Sequence, residues 1–121
     1  MPYYLGIDIG TSASKGVLID AECRIVAQAS CQHETENPRD GWYQHDAEAI
    51  WWGDFCRLSR ELIERAGIEV SQIRCVGLSA LGCDCVPVDE DCHALAPAIL
   101  YGVDARSKPQ IDELLSEYGP D

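Results

Sequence analysis

Positively charged side chains are scarce in this sequence. Of its 121 residues only nine are Lys or Arg, against 21 Asp or Glu, which gives a formal net charge of -12 at pH 7. Nucleic-acid backbones and anionic lipid surfaces repel such a chain at long range, so both are disfavoured as partners. A nucleotide stays open as a ligand, because backbone N–H groups and a metal ion can hold its phosphates.

Long apolar runs are missing as well. No run approaches the length needed to cross a bilayer, and the N-terminus lacks the basic and apolar regions of a signal peptide. We therefore expect a cytoplasmic protein whose seven cysteines are reduced thiols and not a disulfide framework. Cys23, Cys31 and Cys75 stand in apolar, strand-like runs, where we expect them to be buried as small hydrophobic residues.

The hydrophobic pattern predicts a single α/β domain. In chain order we expect a three-stranded antiparallel meander, a helix, a parallel strand, a short β excursion and a second helix. The strands are expected over 3–9, 14–20, 24–31 and 73–79, the excursion over 85–88 and 98–101, and the helices over 47–66 and around 111–118. No helix follows the first strand, which excludes a Rossmann unit.

The first helix and the strand after it carry further expectations. Asp46 is expected to cap the helix and Gly67 to end it, while Asp54 is expected on its charged, solvent-facing side. The strand over 73–79 is continuously apolar. We therefore expect it to be buried on both faces and to lie parallel to the first strand, which it reaches through the helix.

The residues that carry chemistry are concentrated between Gly6 and Lys15. A carboxylate, Asp8, ends the first strand, and a Gly-Thr-Ser turn leads into the second. Backbone N–H groups of such a turn, with the Thr11 and Ser12 hydroxyls and the Lys15 ammonium, can bind an anion. Asp8 supplies the carboxylate that a Mg²⁺–phosphate complex needs, through coordinated water. The alternative is an ordinary hairpin turn with a solvated aspartate.

Three segments together resemble a known family. The stretch 6–15 resembles the first phosphate motif of the actin-like ATPase superfamily. The stretch 41–46, Gly-Trp-Tyr-Gln-His-Asp, is followed by two tryptophans at 51–52 and resembles a segment of the FGGY carbohydrate kinases such as xylulokinase. The stretch 97–106, Pro-Ala-Ile-Leu-Tyr-Gly-Val-Asp-Ala-Arg, resembles the P-A-I-L-W-x-D-x-R segment of that family.

The resemblance implies a ribonuclease-H-like fold, that of the actin-like ATPases, and residues 1–121 would be an incomplete, N-terminal portion of the first kinase lobe. It implies ATP-dependent phosphorylation of a sugar or polyol hydroxyl, with ATP and Mg²⁺ as cofactors and the remainder of the kinase chain as partner. The catalytic base of the family would fall beyond residue 121, so we expect the chain alone to be inactive. The alternative is an actin-like nucleotide-binding module, or a regulatory ATPase, without sugar kinase activity.

The same resemblance implies roles for individual residues. Asp8 would be the metal-associated carboxylate; the nucleotide phosphates would contact Gly10, Thr11, Ser12, Ala13 and Lys15. The substrate would contact Trp42, Gly82, Cys83, Asp84, Asp104 and Arg106. The sequence departs from the family at 81–83, where Leu-Gly-Cys replaces the Gln-Met-His of xylulokinases and the Gln-Arg-Glu of glycerol kinases. Neither xylulose nor glycerol can therefore be assigned as the substrate.

Other polar residues favour ordinary structural roles. Cys83, Cys85, Cys92 and His93 could be combined into a zinc site, but their spacing is not that of Cys-x₂₋₄-Cys knuckles. The two histidines of the polar loop, at 33 and 45, are expected to be solvated. An incomplete lobe leaves apolar surface uncovered, so we also expect the chain to self-associate as a homo-oligomer or to be poorly soluble.

Overall fold

The computed structural model describes residues 1–120 as a four-stranded mixed sheet with a long helix packed on one face. The strands are β1 Tyr3–Ile9, β2 Ala13–Ile19, β3 Ile25–Gln32, β4 Gln44–His45, β5 Ile73–Ala80 and β6 Ala98–Ile99. The helices are α1 Gly53–Ala66 and α2 Lys108–Tyr118, with a π-helical segment Ala47–Trp52 before α1 and a short 3₁₀ turn Val70–Gln72 after it. None of the helices over residues 1–120 has the length and apolar character that crossing a membrane requires.

The strand order of the sheet is β3-β2-β1-β5. Strands β1, β2 and β3 pair antiparallel, and β5 pairs parallel with β1. The predicted meander and the predicted parallel strand are both confirmed. A second, two-stranded sheet pairs β4 with β6, so the two segments of family-like sequence, 41–46 and 97–106, meet there.

The core lies between the sheet and α1. Leu5, Ile7 and Ile9 alternate along β1 toward the helix, as a strand with one covered face requires. Leu58 and Leu62 of α1 pack against them and have no exposed surface. Tyr3 lies on the same face as these residues, whereas the alternate positions Tyr4, Gly6 and Asp8 face the open side of the sheet.

The first predicted helix begins and ends where expected. The Asp46 side chain accepts a hydrogen bond from the Ala49 N–H at 2.9 Å, and Gly67 ends α1 in the left-handed region at φ 63°. The helical span 47–66 is confirmed, although its first six residues are π-helical. The side predicted for Asp54 is wrong, because this carboxylate is only 2% exposed and lies under the sheet.

Strand β5 does not have the two buried faces predicted for 73–79. It is the edge strand of the sheet, and Val76 and Leu78 are 46% and 68% exposed. Cys75 on this strand and Cys23 in a turn are also exposed, so their predicted burial is wrong, whereas Cys31 is half-buried. An apolar run indicates a strand but does not indicate which elements cover it.

The predicted β excursion is shorter than expected. Only Ala98–Ile99 forms a strand, and its partner is Gln44–His45, for which no strand was expected. The segment 85–88 contributes two isolated bridges, from Cys85 to Ile99 and from Val88 to Ala94. Two-residue strands carry too little periodic pattern to be located from sequence.

We predict that the 121-residue chain self-associates. The apolar stripe of α2 and the outer positions of β5 are solvent-exposed. The net charge of -12 opposes association of the chains, but it does not remove this exposed apolar surface. Sedimentation velocity over a concentration series should show a weight-average mass that rises above 13.3 kDa. A constant monomer mass at high concentration would contradict this prediction.

Candidate functional site

The turn between β1 and β2 is built around Gly10. Its N–H donates to the Ala13 carbonyl at 3.0 Å, and a Cβ at Gly10 would lie 2.8 Å from that same oxygen. Gly10 therefore gives the turn its shape, and its N–H is already used within the turn. Thr11 and Ser12 are exposed, and over residues 1–120 their N–H groups donate to no protein acceptor.

Asp8 lies beside this turn in a row of side chains that crosses the open face of the sheet. Its register partners are Lys15 on β2 and Ser79 on β5, and Lys15 in turn pairs with Ser30 on β3. The Ser79 hydroxyl donates to Asp8 Oδ1, and the carboxylate is exposed. Asp8, Lys15 and Ser79 line a cleft of about 900 Å³.

The residues predicted to bind phosphate and its metal ion, Asp8, Gly10 to Ala13 and Lys15, are thus brought together at one end of β1 and β2. Asp8 presents its carboxylate to the cleft, with one oxygen free of protein donors. A single carboxylate completed by water and phosphate oxygens is the ligand set that Mg²⁺ prefers in nucleotide sites. The residues of the cleft therefore fit this ion.

His33 lies beneath the turn and not in solvent, so the prediction for it is wrong. Its Nε2 is 2.8 Å from the Gly10 carbonyl oxygen, its Nδ1 is 2.8 Å from Asp54 Oδ2, and its side chain is 5% exposed. Its backbone N–H donates to the Ser12 carbonyl at 3.1 Å. Buried carbonyl oxygens need donors, and this loop residue supplies two of them.

His45 is also buried, with no exposed surface, which corrects the second histidine prediction. Its Nδ1 accepts from the indole N–H of Trp51 at 3.1 Å, and its Nε2 is 3.0 Å from the Thr11 carbonyl oxygen. Because an indole N–H can only donate, we assign the neutral Nε2–H form to His45. Burial, and secondly the neighbouring His33, lower the pKa of His45.

Asp54 reaches this cluster from α1. Burial raises its pKa, but hydrogen bonds from Ser14, His33 and Cys31 outweigh that effect and hold the pKa below the ordinary value. The Ser14 hydroxyl donates to Asp54 Oδ2 at 2.7 Å. The carboxylate is therefore ionised at neutral pH although it is buried, and beside it the pKa of Cys31 is raised, first by burial and then by Asp54.

We predict that the chain loses stability on acidification in two stages. The pKa of His45 is lower in the folded state than its ordinary 6.5, so the unfolded chain binds more protons as the pH falls through that value. The pKa of Asp54 is also lowered in the folded state, so its contribution to stability is fully present above its ordinary pKa of 3.8 and is lost as the pH falls below that value. The free energy of unfolding in urea, measured from pH 8 to pH 3, should decline from about pH 6.5 and fall more steeply below 4.

The variant His45→Gln tests the first stage of this decline. It should remove the decline that begins near pH 6.5 and keep the decline below pH 4. Asp112→Asn, on the exposed helix α2, serves as the control and should leave both parts unchanged. A wild-type stability that is flat between pH 7 and pH 5 would contradict the prediction.

A second cluster joins three of the predicted substrate residues. Asp104 Oδ2 accepts from the Tyr43 N–H at 2.7 Å and from the Arg106 guanidinium at 2.8 Å. That guanidinium lies over the Trp42 ring, 4.3 Å from its centroid, and Arg39 lies 5.0 Å from the same centroid. Burial raises the pKa of Asp104, but the Arg106 and Tyr43 hydrogen bonds outweigh it, so the pKa is lowered. The cluster fixes the loop before β4 against the segment after β6.

The loop after β5 contains the other predicted substrate residues. Asp84 Oδ1 accepts from the Tyr101 N–H at 2.7 Å, whereas Asp84 Oδ2 is buried and has no hydrogen-bond partner among residues 1–120. Gly82 and Cys83 are exposed, and Cys83 has a positive φ of 61°. In this part of the chain, and over residues 1–120 as a whole, no three His, Cys, Asp or Glu side chains come together as a metal site.

Comparison with known proteins gives a consistent result. Residues 3–120 match the model of the FGGY family of carbohydrate kinases, N-terminal domain. A glycerol kinase of Thermococcus gammatolerans is 30% identical over 117 residues, which cover 97% of this chain and 23% of that protein. The chain therefore spans less than a quarter of the length of this relative.

Solved structures agree with the sequence comparison. A crystal structure of a "xyloylose kinase" from Brucella ovis matches with a TM-score of 0.82 and 31% identity, over 95% of this chain and 24% of that one. Plasmodium falciparum glycerol kinase with ADP matches with a TM-score of 0.82 and 25% identity, over 98% of this chain and 24% of that one. The predicted fold class, an α/β domain of the actin-like ATPase type, is confirmed.

Proposed function

The chain belongs to the FGGY family of carbohydrate kinases, and from that membership we propose that it supplies the first phosphate loop of an enzyme that phosphorylates a sugar or polyol with ATP. The observation that carries the proposal is the exposed Asp8 carboxylate beside a turn whose Thr11 and Ser12 N–H groups have no acceptor in residues 1–120. The same membership leads us to expect the enzyme in the cytoplasm.

On the nucleotide side, each residue of the turn has a separate task. The Thr11 and Ser12 N–H groups and hydroxyls bind phosphate oxygens, and the Lys15 ammonium balances their charge from β2. Gly10 and Ala13 close the turn through the hydrogen bond between them. Phosphoryl transfer depends on positioning and charge stabilisation more than on covalent chemistry, which suits a rigid turn of this kind.

Asp8 is the residue that would hold Mg²⁺. The ion, when bound with the nucleotide, neutralises charge that develops on the phosphate oxygens during transfer. The Ser79 hydroxyl fixes Asp8 by one oxygen, so the other oxygen would be available to hold the ion through its coordinated water. Lys15 opposes Asp8 directly across β1 and β2, so the cation and the carboxylate flank the same part of the cleft.

On the acceptor side, we propose that Asp84 hydrogen-bonds a substrate hydroxyl. Its Oδ2 is an acceptor without a donor, and a buried acceptor of this kind favours a partner that supplies an O–H group. Gly82 and Cys83 leave space beside it. Trp42, Asp104 and Arg106 support this region by holding the loop before β4 in place. Because the relatives named above are glycerol kinases and a xyloylose kinase by name, we propose small polyols and sugars as the substrate class.

We further propose that the chain is inactive by itself and needs the rest of a kinase polypeptide. Its relatives are about four times as long, and no second carboxylate stands with Asp8 on the open face of the described sheet to act as the base for a hydroxyl. The partner is therefore the remainder of the kinase, which would complete the cleft.

The test is a screen for phosphoryl transfer from ATP and Mg²⁺ to a panel of ketoses, polyols and aldonates. It compares the 121-residue chain with the complete natural polypeptide in which these residues occur. We expect transfer to one class of acceptor by the complete polypeptide and none by the chain. Tight MgATP binding with no transfer to any acceptor would instead support the nucleotide-binding module without kinase activity.

A further inference from the structure

We call residues 10–12, between β1 and β2, the phosphate turn. Its carbonyl groups all accept hydrogen bonds on the same side of the turn. The Gly10 oxygen faces His33 Nε2 at 2.8 Å, and the Ser12 oxygen accepts from the His33 backbone N–H at 3.1 Å. The Thr11 oxygen accepts from the Thr35 hydroxyl at 3.0 Å and lies 3.0 Å from His45 Nε2. Three consecutive carbonyls thus have donors from a single loop.

This arrangement decides where the N–H groups of the turn point. In a planar trans peptide the C=O and the following N–H point in opposite directions. Holding the Gly10 oxygen against His33 therefore turns the Thr11 N–H to the other side, and holding the Thr11 oxygen against His45 does the same for the Ser12 N–H. These are the two N–H groups that lack an acceptor over residues 1–120.

His33 itself is held by a group that contacts no part of the turn. Asp54, on α1, lies 2.8 Å from His33 Nδ1 and receives the Ser14 hydroxyl at 2.7 Å on the same oxygen. The two ring nitrogens of His33 thus face acceptor oxygens at opposite ends of the ring, Asp54 Oδ2 at Nδ1 and the Gly10 carbonyl at Nε2. The ring is fixed at both ends, and the donor that it presents to Gly10 is fixed with it.

We propose that His33, oriented by Asp54, is a positioning residue that aims the Thr11 N–H at the nucleotide phosphate by holding the Gly10 carbonyl. This inference rests on the proposed function, because it assigns a purpose to the same turn. To the residues of that function it adds His33, which contacts no reacting atom. Through Asp54, His33 also connects helix α1 to the phosphate site.

Two isosteric substitutions separate positioning from simple stability. In His33→Asn the amide nitrogen replaces Nδ1, so the donor to Asp54 is kept and the donor to Gly10 is lost. In His33→Gln the amide nitrogen replaces Nε2, so the donor to Gly10 is kept while Asp54 loses a partner. A purely structural role predicts that Gln is the more damaging change, since it leaves a buried carboxylate short of a donor.

The measurements are KM for MgATP, KM for the accepted polyol or sugar, and stability in urea, all on the complete natural polypeptide. We expect KM for MgATP to rise roughly tenfold in His33→Asn, the effect of one misaligned phosphate hydrogen bond, and to stay within about twofold in His33→Gln. KM for the acceptor should be unchanged in both variants. Stability should follow the opposite order, with His33→Gln the less stable protein.

Two results overturn the inference. One is a KM for MgATP that follows stability, so that His33→Gln is the weaker binder; the other is an unchanged KM in His33→Asn. If the wild-type protein neither binds MgATP nor transfers phosphate, the proposed function fails. The inference is then decided by amide ¹⁵N shifts of the free protein: a changed Thr11 signal in His33→Asn but not in His33→Gln supports it, and any other pattern overturns it.

Discussion

Asp8→Asn is expected to lower the turnover of the complete kinase by roughly a hundredfold or more, because the charge stabilisation that a metal supplies in such transfers is worth several kcal/mol. Asparagine keeps the size of the side chain and its Oδ1 acceptor for the Ser79 hydroxyl, but it removes the charge that attracts Mg²⁺. The measurement is kcat at saturating acceptor over a titration of Mg²⁺ at fixed ATP. The variant should need more Mg²⁺ and should still not recover.

The substitution Asp8→Asn should change the stability of the folded state very little. Asp8 is exposed, and the hydroxyl of Ser79 is its side-chain partner, so no buried charge is stranded. We expect the thermal midpoint to stay within about 2 °C of wild type, since exposed substitutions usually change stability by less than 0.5 kcal/mol. Asp112→Asn removes an exposed carboxylate on α2 and is the control for charge alone. Near-normal turnover of Asp8→Asn at saturating MgATP would remove the basis of the proposed function.

The parts of the fold that the sequence predicts well are those whose pattern is local. The meander over β1, β2 and β3 follows from short loops between β-rich runs, which leave no room for any other connection. The helix over 47–66 has a cap at Asp46 and a left-handed end at Gly67. The exposure of β5 could not be predicted, because its apolar run is the same whether or not another element covers it.

The phosphate turn could be predicted and the histidines beneath it could not. Composition and order predict a turn over 10–12, and its role in binding an anion stays a prediction, whereas a lone histidine in a polar loop has no periodic pattern around it. One signal was present: Asp54 is spaced four and eight residues before Leu58 and Leu62, which puts a carboxylate on the buried stripe of α1. A buried acid requires donors, and His33 is one of them.

Gly16→Val is expected to cost about 3 kcal/mol, the upper end of what overpacking a core usually costs. Gly16 lies on β2 where α1 crosses it, and a Cβ there would lie 2.7 Å from Leu62 Cδ1 and 2.9 Å from Ile7 Cδ1. Both neighbours are buried in the close-packed core between the sheet and α1, so we expect the added side chain to push the helix away from the sheet. Urea unfolding of the wild type and the variant measures the loss.

Gly77→Val is the matched control, since it places the same side chain on β5, where the nearest atom to the new Cβ is the Leu5 oxygen at 4.0 Å. It should be neutral or slightly stabilising, because valine suits a strand better than glycine. The Gly16 variant should lose more than stability. Displacing α1 withdraws Asp54 from Ser14 and His33, so the fraction that still folds should bind MgATP more weakly than wild type. A Gly16→Val protein as stable as Gly77→Val would mean that the helix does not pack on the sheet as closely as the distances at Gly16 require.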